Sequence, residues 1–242
     1  MDDNKLAGLR QFEEGLKDLS ITISEKQIDQ FMNYFDLLIE WNQKMNLTAI
    51  TDFDEVLKKH FIDSLSMVKV MIPSNEKLID IGTGAGFPGI PLKIMYPELD
   101  VILLDSLNKR ITFLDEVINK LDLKYIKTLH GRAEDFGSDG SYRENFDICV
   151  SRAVAKLPVL SEYCLPFVKK GGFFISYKSG MIAEEVETSK RALNILGAEI
   201  SRIENFTLPS SDIERTLVVM KKINSTPKKY PRSAGKPSRN PL

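Results

Sequence analysis

The sequence predicts an α/β fold, a doubly wound and mostly parallel seven-stranded sheet carrying an N-terminal helical extension. Three observations predict it. Up to about residue 72 the apolar residues recur only at helical spacing. From Lys77 onward, short apolar runs alternate with helical stretches, and the first run leads into the glycine-rich turn Gly82-Thr83-Gly84-Ala85-Gly86. Strands alternating with helices imply βαβ units, which lay strands parallel and put helices on both faces of the sheet.

Each element has its own signal. Over 24–44, Ile28, Phe31, Met32, Phe35, Leu38 and Ile39 share one helical face, and Ser24 with Gln27 has capping-box spacing. Leu6, Leu9, Phe12, Leu16 and Leu19 give a weaker helix over 6–19, and 56–71 holds one or two short helices. Strands follow at 78–81, 101–104, 125–129, 146–150 and 173–177, separated by helices near 90–95, 108–121, 157–168 and 183–196. The runs 199–206 and 216–223 have no helix between them, so they form a terminal pair with one strand antiparallel to the rest. Beyond Ser225 the chain carries Pro227, Pro231, Pro237 and Pro241 without apolar periodicity, a pattern read as excluding a helix or central strand. The expected organisation is a helical extension over 1–72, a sheet domain over 73–223 and a tail over 224–242.

Composition sets limits on function. With 242 residues, 43% of them hydrophobic, the chain can bury a large core without disulfides or metals. Cys149 and Cys164 form no C-x-x-C pair and have no His ligand nearby, which argues against a disulfide framework and against zinc. Met1-Asp2-Asp3-Asn4-Lys5 opens with acid and has no apolar run behind it, so no signal peptide, no membrane partner and a cytoplasmic address are expected. The net charge of −1 gives no bulk attraction to nucleic acid, but it divides into +5 on the tail and −6 on the rest.

The chemistry is concentrated in 77–91. Glycines at 82, 84 and 86 let the backbone turn sharply and approach a ligand closely. Gly84, Gly86 and Gly89 spell the dinucleotide fingerprint, but that site needs free N–H groups at the helix start, and Pro88 has none. Asp80, at the strand end, instead favours a cationic cofactor, and S-adenosylmethionine carries both a sulfonium and an ammonium. Asp105 closes the second strand 19 residues past Gly86, where an acid accepts from ribose hydroxyls in either cofactor class. Gly131-Arg132-Ala133-Glu134-Asp135, after the third strand, suits an adenine edge, and Ser151-Arg152-Ala153 ends the fourth strand on the same rim. Singly, Glu134 and Asp135 read as surface acids; their order along one βαβαβ run gives them weight. His60 and His130 read as satisfied imidazoles, and Cys164 as a small buried hydrophobe.

Four separated segments resemble one family: Trp41-Asn42-Gln43-Lys44-Met45-Asn46-Leu47-Thr48, His60-Phe61-Ile62-Asp63-Ser64-Leu65, the 80–91 loop, and Lys229-Tyr230-Pro231-Arg232 with Gly235, Pro237 and Pro241. Together they are similar to the bacterial small-subunit ribosomal RNA methyltransferase G family, also called glucose-inhibited division protein B. The resemblance implies a Rossmann-like methyltransferase sheet and S-adenosylmethionine-dependent methylation of a guanine N7 in small-subunit ribosomal RNA, as naked RNA or in the assembling 30S particle. It also implies cofactor contacts at Gly82, Phe87, Ala133, Glu134 and Arg152, beside Asp80, Gly84 and Asp105 from the residue pattern.

Guanine N7 carries no proton, so its methylation needs alignment rather than a general base. Arg152 is the candidate for holding cofactor or substrate, an anion contact being preferred, while Asn42 and Asn46 are candidate supports. The tail cations Lys228, Lys229, Arg232, Lys236 and Arg239 are the expected RNA contacts, with Lys58, Lys59, Lys109 and Arg110 as the alternative surface. On this reading the tail's removal leaves cofactor affinity almost unchanged, and Asp80 and Gly82 belong to a surface turn outside the core. The competing classes are a nicotinamide-dependent oxidoreductase on a related sheet and a catalytically silent RNA-binding module.

Overall fold

The structure, a computed structural model, describes residues 3–152, 154–180 and 182–242; Met1, Asp2 and the expected strand end at Ala153 lie outside the described residues. Helices α1 (Asp3–Asp18), α2 (Glu25–Asn42), α3 (Phe53–Val56) and α4 (Asp63–Leu65) precede the sheet. A π turn, Leu57–Ile62, joins α3 to α4, and a 3-10 turn, Ser66–Lys69, follows. The next elements are β1 (Lys77–Ile81), α5 (Gly89–Met95), β2 (Asp100–Asp105), α6 (Asn108–Lys120), β3 (Ile126–His130), α7 (Ala133–Phe136) and β4 (Phe146–Arg152). The chain continues through α8 (Leu157–Cys164), β5 (Val168–Ser179), α9 (Ala183–Leu196), β6 (Ala198–Thr207), β7 (Glu214–Lys222) and α10 (Lys236–Arg239).

The seven strands form one sheet in the order β3-β2-β1-β4-β5-β7-β6. The first five are parallel to their neighbours, and β7 runs antiparallel to both β5 and β6. The order reverses between β1 and β4, so the crevice at their carboxyl ends is the expected ligand position of a doubly wound sheet.

Side chains alternate across the sheet. Leu78, Leu103 and Val150 face one apolar layer with α1, α2, α5 and α6, while Ile79, Ile81, Leu104 and Cys149 face the other with α8 and α9. The N-terminal helices thus share a core with one sheet face. In α2, the Ser24 side chain accepts from the Gln27 amide and the Gln27 side chain accepts from the Ser24 amide, the expected capping box. An aromatic chain ties that layer to the glycine turn: Phe31 meets Phe61 at 4.9 Å, Tyr34 stacks on Phe61 at 5.3 Å, and Tyr34 meets Phe87 at 5.4 Å.

The tail departs from expectation. It contains the short helix α10, with Pro237 in its first turn, where a missing N–H costs nothing. It is also docked: Thr226, Tyr230 and Pro237 are buried. Buried Lys222 donates to Leu165 O, Val168 O and Thr226 Oγ1, and Arg143 donates to the carbonyls of Thr226, Pro227 and Tyr230.

Candidate active site

A cavity of about 490 Å³ opens at the carboxyl ends of β1, β2 and β4, within the size range of small-molecule sites. Gly82, Gly84, Phe87, Asp105, Ala133, Glu134 and Arg152 line it, together with Leu47, Thr48, His60, Thr83 and Tyr163. At Gly82 the backbone has φ +69° and a Cβ would stand 2.6 Å from Val154 Cγ2; at Gly86, with φ +98°, it would stand 2.6 Å from the Tyr34 hydroxyl. Only glycine meets both demands.

Asp80 is not on the cavity wall. Strand parity turns it, like Leu78, toward the α5 face, where it is fully buried. Its Oδ2 accepts from Thr83 Oγ1 at 2.7 Å and from Gly89 N at 2.9 Å, and its Oδ1 has no partner. Burial pushes its carboxyl up to about 7 against the pull of those two donors and of Arg152. The expected direct contact with a cationic cofactor is therefore corrected to a post beneath the glycine turn, and Asp80 belongs to the core rather than to a surface turn. The same contacts exclude a pyrophosphate seat: the Gly89 amide is taken by Asp80, the Ile90 amide by Gly86 O, and Pro88 has none.

Asp105 is nearly enclosed at 2% exposure. Its Oδ2 accepts from Gly84 N and Arg110 Nη1, both at 3.0 Å, and its Oδ1 accepts from Leu107 N at 2.9 Å. The carboxylate thus fixes the glycine turn and sits in the cavity at once. Glu134 points its Oε1 at the tail, accepting from Gly235 N at 3.0 Å.

Arg152 ends β4, and its guanidinium is held from three sides. It donates to Asp63 Oδ2 at 3.0 Å and Lys59 O at 3.2 Å, lies 3.3 Å from His60 Nδ1, and covers the Phe87 ring at 5.0 Å. The other Asp63 oxygen accepts from Arg215 Nε at 3.0 Å. Residue patterns alone missed Asp63; His60 is the satisfied imidazole expected, but its place in the site was missed too. Its ring stacks on Phe87 at 4.5 Å and its Nε2 lies 2.8 Å from Thr48 Oγ1, so it is part of the cavity wall. Burial and the Arg152 charge push its pKa down to about 3, leaving a neutral ring. The π turn was the hidden signal, because such turns re-aim side chains and release backbone carbonyls. His130 is exposed, with Nε2 3.3 Å from Ser106 O.

Asn42 supports the site: its Oδ1 accepts from the amides of Leu47 and Thr48, which shapes the loop on the cavity rim. Asn46 is exposed. Of the tail cations, Lys228, Lys229, Lys236 and Arg239 are exposed. Arg232 is corrected: it makes a forked ion pair with buried Glu162, Nη2 to Oε2 at 2.6 Å and Nε to Oε1 at 2.9 Å, and is not free for phosphate. Cys149 and Cys164 are buried free thiols, with burial pushing the Cys149 thiol up.

A second cavity of about 560 Å³ adjoins the first and shares His60, Arg152 and Val154 with it; Lys59, Asp63, Lys156, Tyr177 and Arg215 also line it. Two cavities meeting at one guanidinium suit a donor molecule and an acceptor.

The model of the GidB family, described as rRNA small subunit methyltransferase G, matches residues 27–217. The chain belongs to the GidB family. It is 58% identical over 242 residues, all of both chains, to the ribosomal RNA small subunit methyltransferase G of Acetivibrio thermocellus. It is 56% identical over 232 residues, 96% of each chain, to that of Lachnoclostridium phytofermentans. Among solved structures, an S-adenosylmethionine-dependent methyltransferase from Aquifex aeolicus superposes with a TM-score of 0.53 at 16% identity, over 75% of this chain and 97% of that one. TrmN from Thermus thermophilus superposes with a TM-score of 0.52 at 15% identity, over 69% and 53%. The last two support the GidB-family chain's sheet architecture alone. Among the described residues, no helix is long and apolar enough to cross a membrane, and no group of three or more His, Cys, Asp or Glu could hold a metal ion.

Proposed function

We propose that this GidB-family protein methylates N7 of a guanine in small-subunit ribosomal RNA with S-adenosylmethionine, taking the base from the RNA or from the assembling 30S particle. The observation that carries this reading is the pair of cavities sharing His60, Arg152 and Val154. A glycine cradle without a pyrophosphate seat, followed by a buried acid at the end of β2, fits an adenosine with a short amino-acid arm better than a dinucleotide.

When bound, the cofactor supplies an electrophilic methyl on sulfur. The chain's own residues do the rest. Gly82, Gly84 and Phe87 bring the backbone and one aromatic face against it, with Asp80 holding the turn from below. Asp105 accepts from ribose hydroxyls, and Ala133 with Glu134 borders the adenine. Arg152 stands at the junction, its charge partly neutralised by Asp63, and orients the amino-acid arm or the guanine. No residue has to accept a proton, in keeping with a His60 pKa of about 3 and an N7 that already offers a lone pair. The exposed cations Lys228, Lys229, Lys236 and Arg239, with Lys156 at the acceptor cavity, are candidate phosphate contacts.

The test is transfer of labelled methyl to small-subunit RNA and to 30S particles, followed by nucleoside identification. Label in 7-methylguanosine supports the reading; label in another nucleoside, or none, refutes it.

A further inference from the structure

The tail ends on the cavity wall, which a simple surface extension would not do. Three layers of contact lead it there. Lys222 and Arg143 fix the segment around Thr226. Arg232 is then clamped on Glu162, both through its guanidinium and through its own amide, which donates to Oε1 at 2.8 Å. Past that clamp the Gly235 amide donates to Glu134, and α10 packs against α8, the helix that carries Tyr163. Glu162 and Tyr163 are neighbours on α8, so the clamp and the wall sit on one helix.

Glu134 and Tyr163 both line the donor cavity, on the side bordered by Ala133. Each has a rotatable side chain; the tail holds Glu134 directly and packs against the helix of Tyr163. We propose that the segment 233–242 is a positioning element of the cofactor site, with Gly235 holding Glu134, and α10 backing the helix of Tyr163, as the wall against which the adenosine half binds. This rests on the reading of the cavity as an S-adenosylmethionine site. By linkage, a ligand that uses the wall tightens the tail by the factor the tail contributes to the ligand.

The experiment removes 233–242 and keeps Arg232 on Glu162, so the buried clamp is undisturbed. Affinity is measured without RNA for two probes, S-adenosylmethionine and methylthioadenosine, the latter lacking the amino-acid arm. Both should weaken by a similar factor, about tenfold or more, as expected for loss of a charge-assisted contact and the wall it orders. In turnover at saturating RNA, a condition the loss of Lys236 and Arg239 makes necessary, KM for the cofactor should rise by the factor by which the affinities fall.

Two point variants carry the test if truncation impairs folding. Glu134→Ala should weaken both probes, and Glu134→Gln, whose amide oxygen still accepts from Gly235, should retain more affinity for each. In the intact protein, saturating S-adenosylmethionine should slow hydrogen exchange at the Gly235 amide. Unchanged affinities for both probes, a loss confined to S-adenosylmethionine, or unchanged exchange at Gly235 would each overturn the proposal. Failure of the unaltered protein to bind S-adenosylmethionine would instead overturn the cofactor reading beneath it.

Discussion

Replacing Asp80 by Asn keeps shape and acceptor while removing a titration, so it isolates the energetic consequence of a buried carboxyl. In the fold this group ionises at about 7, up from its ordinary 3.8, chiefly because burial disfavours the charged form. The folded protein therefore holds the proton over an interval in which the unfolded chain has released it. Stability falls as pH rises from about 4 to about 7 and is level above that, where both states are ionised. At about 1.4 kcal/mol per pH unit, the interval amounts to about 4 kcal/mol. His60 contributes the opposite slope, because its ring is neutral in the fold down to about 3 while the unfolded ring charges near 6.5. The wild-type profile mixes the two, and the difference between wild type and Asp80→Asn removes the His60 part. Urea unfolding of both proteins from pH 4.5 to 8.5 measures that difference. The wild type should lose about 3 kcal/mol relative to the variant across the pH range measured. Parallel curves would refute the argument, since they would mean that Asp80 titrates alike in both states.

Gly82→Ala should cost about 1–2 kcal/mol from the left-handed backbone alone, with more from the overlap with Val154, and should weaken cofactor binding in calorimetry. Arg152→Ala should lower methyl transfer per folded molecule by about a hundredfold or more, while Asp63 retains Arg215 and the melting temperature moves little. A steep fall in melting with normal specific activity would count against that role. Glu162→Ala leaves Arg232 without its buried partner and should cost about 3–5 kcal/mol in denaturant unfolding, far above a surface ion pair. A loss below about 1 kcal/mol would show that the clamp is not energetically buried.

The sheet was legible because period-two and helical spacing persist over whole elements, and β1 to β7 fall where the apolar runs lie. The misses have local causes. Helix α7 is four residues long, too short to show a period, and β5 begins at Val168 because Val168 pairs with Phe146 across an irregularity that takes in the polar Lys169-Lys170-Gly171-Gly172 stretch. Asp80 was placed on the wrong side even though its parity with Leu78 was readable. Arg232 was read as free because its partner, Glu162, lies 70 positions away, and Asp63 went unnoticed because Arg152 is 89 positions distant. Pairings of that range are created by the fold and leave no spacing to read.

The π turn at Leu57–Ile62 makes the site unusually sensitive to insertion and deletion. One residue of a regular helix corresponds to about 100° of rotation about its axis. Deleting a residue from this turn would let 53–69 wind as an ordinary helix, yet it would swing either His60 or Asp63 away from Arg152. Where Asp63 is the one displaced, the Arg152 and Arg215 guanidiniums face each other without the carboxylate they share. A frame-preserving loss of one codon here would therefore leave helical content nearly normal and still disable the junction between the two cavities, although no residue touching it had been replaced.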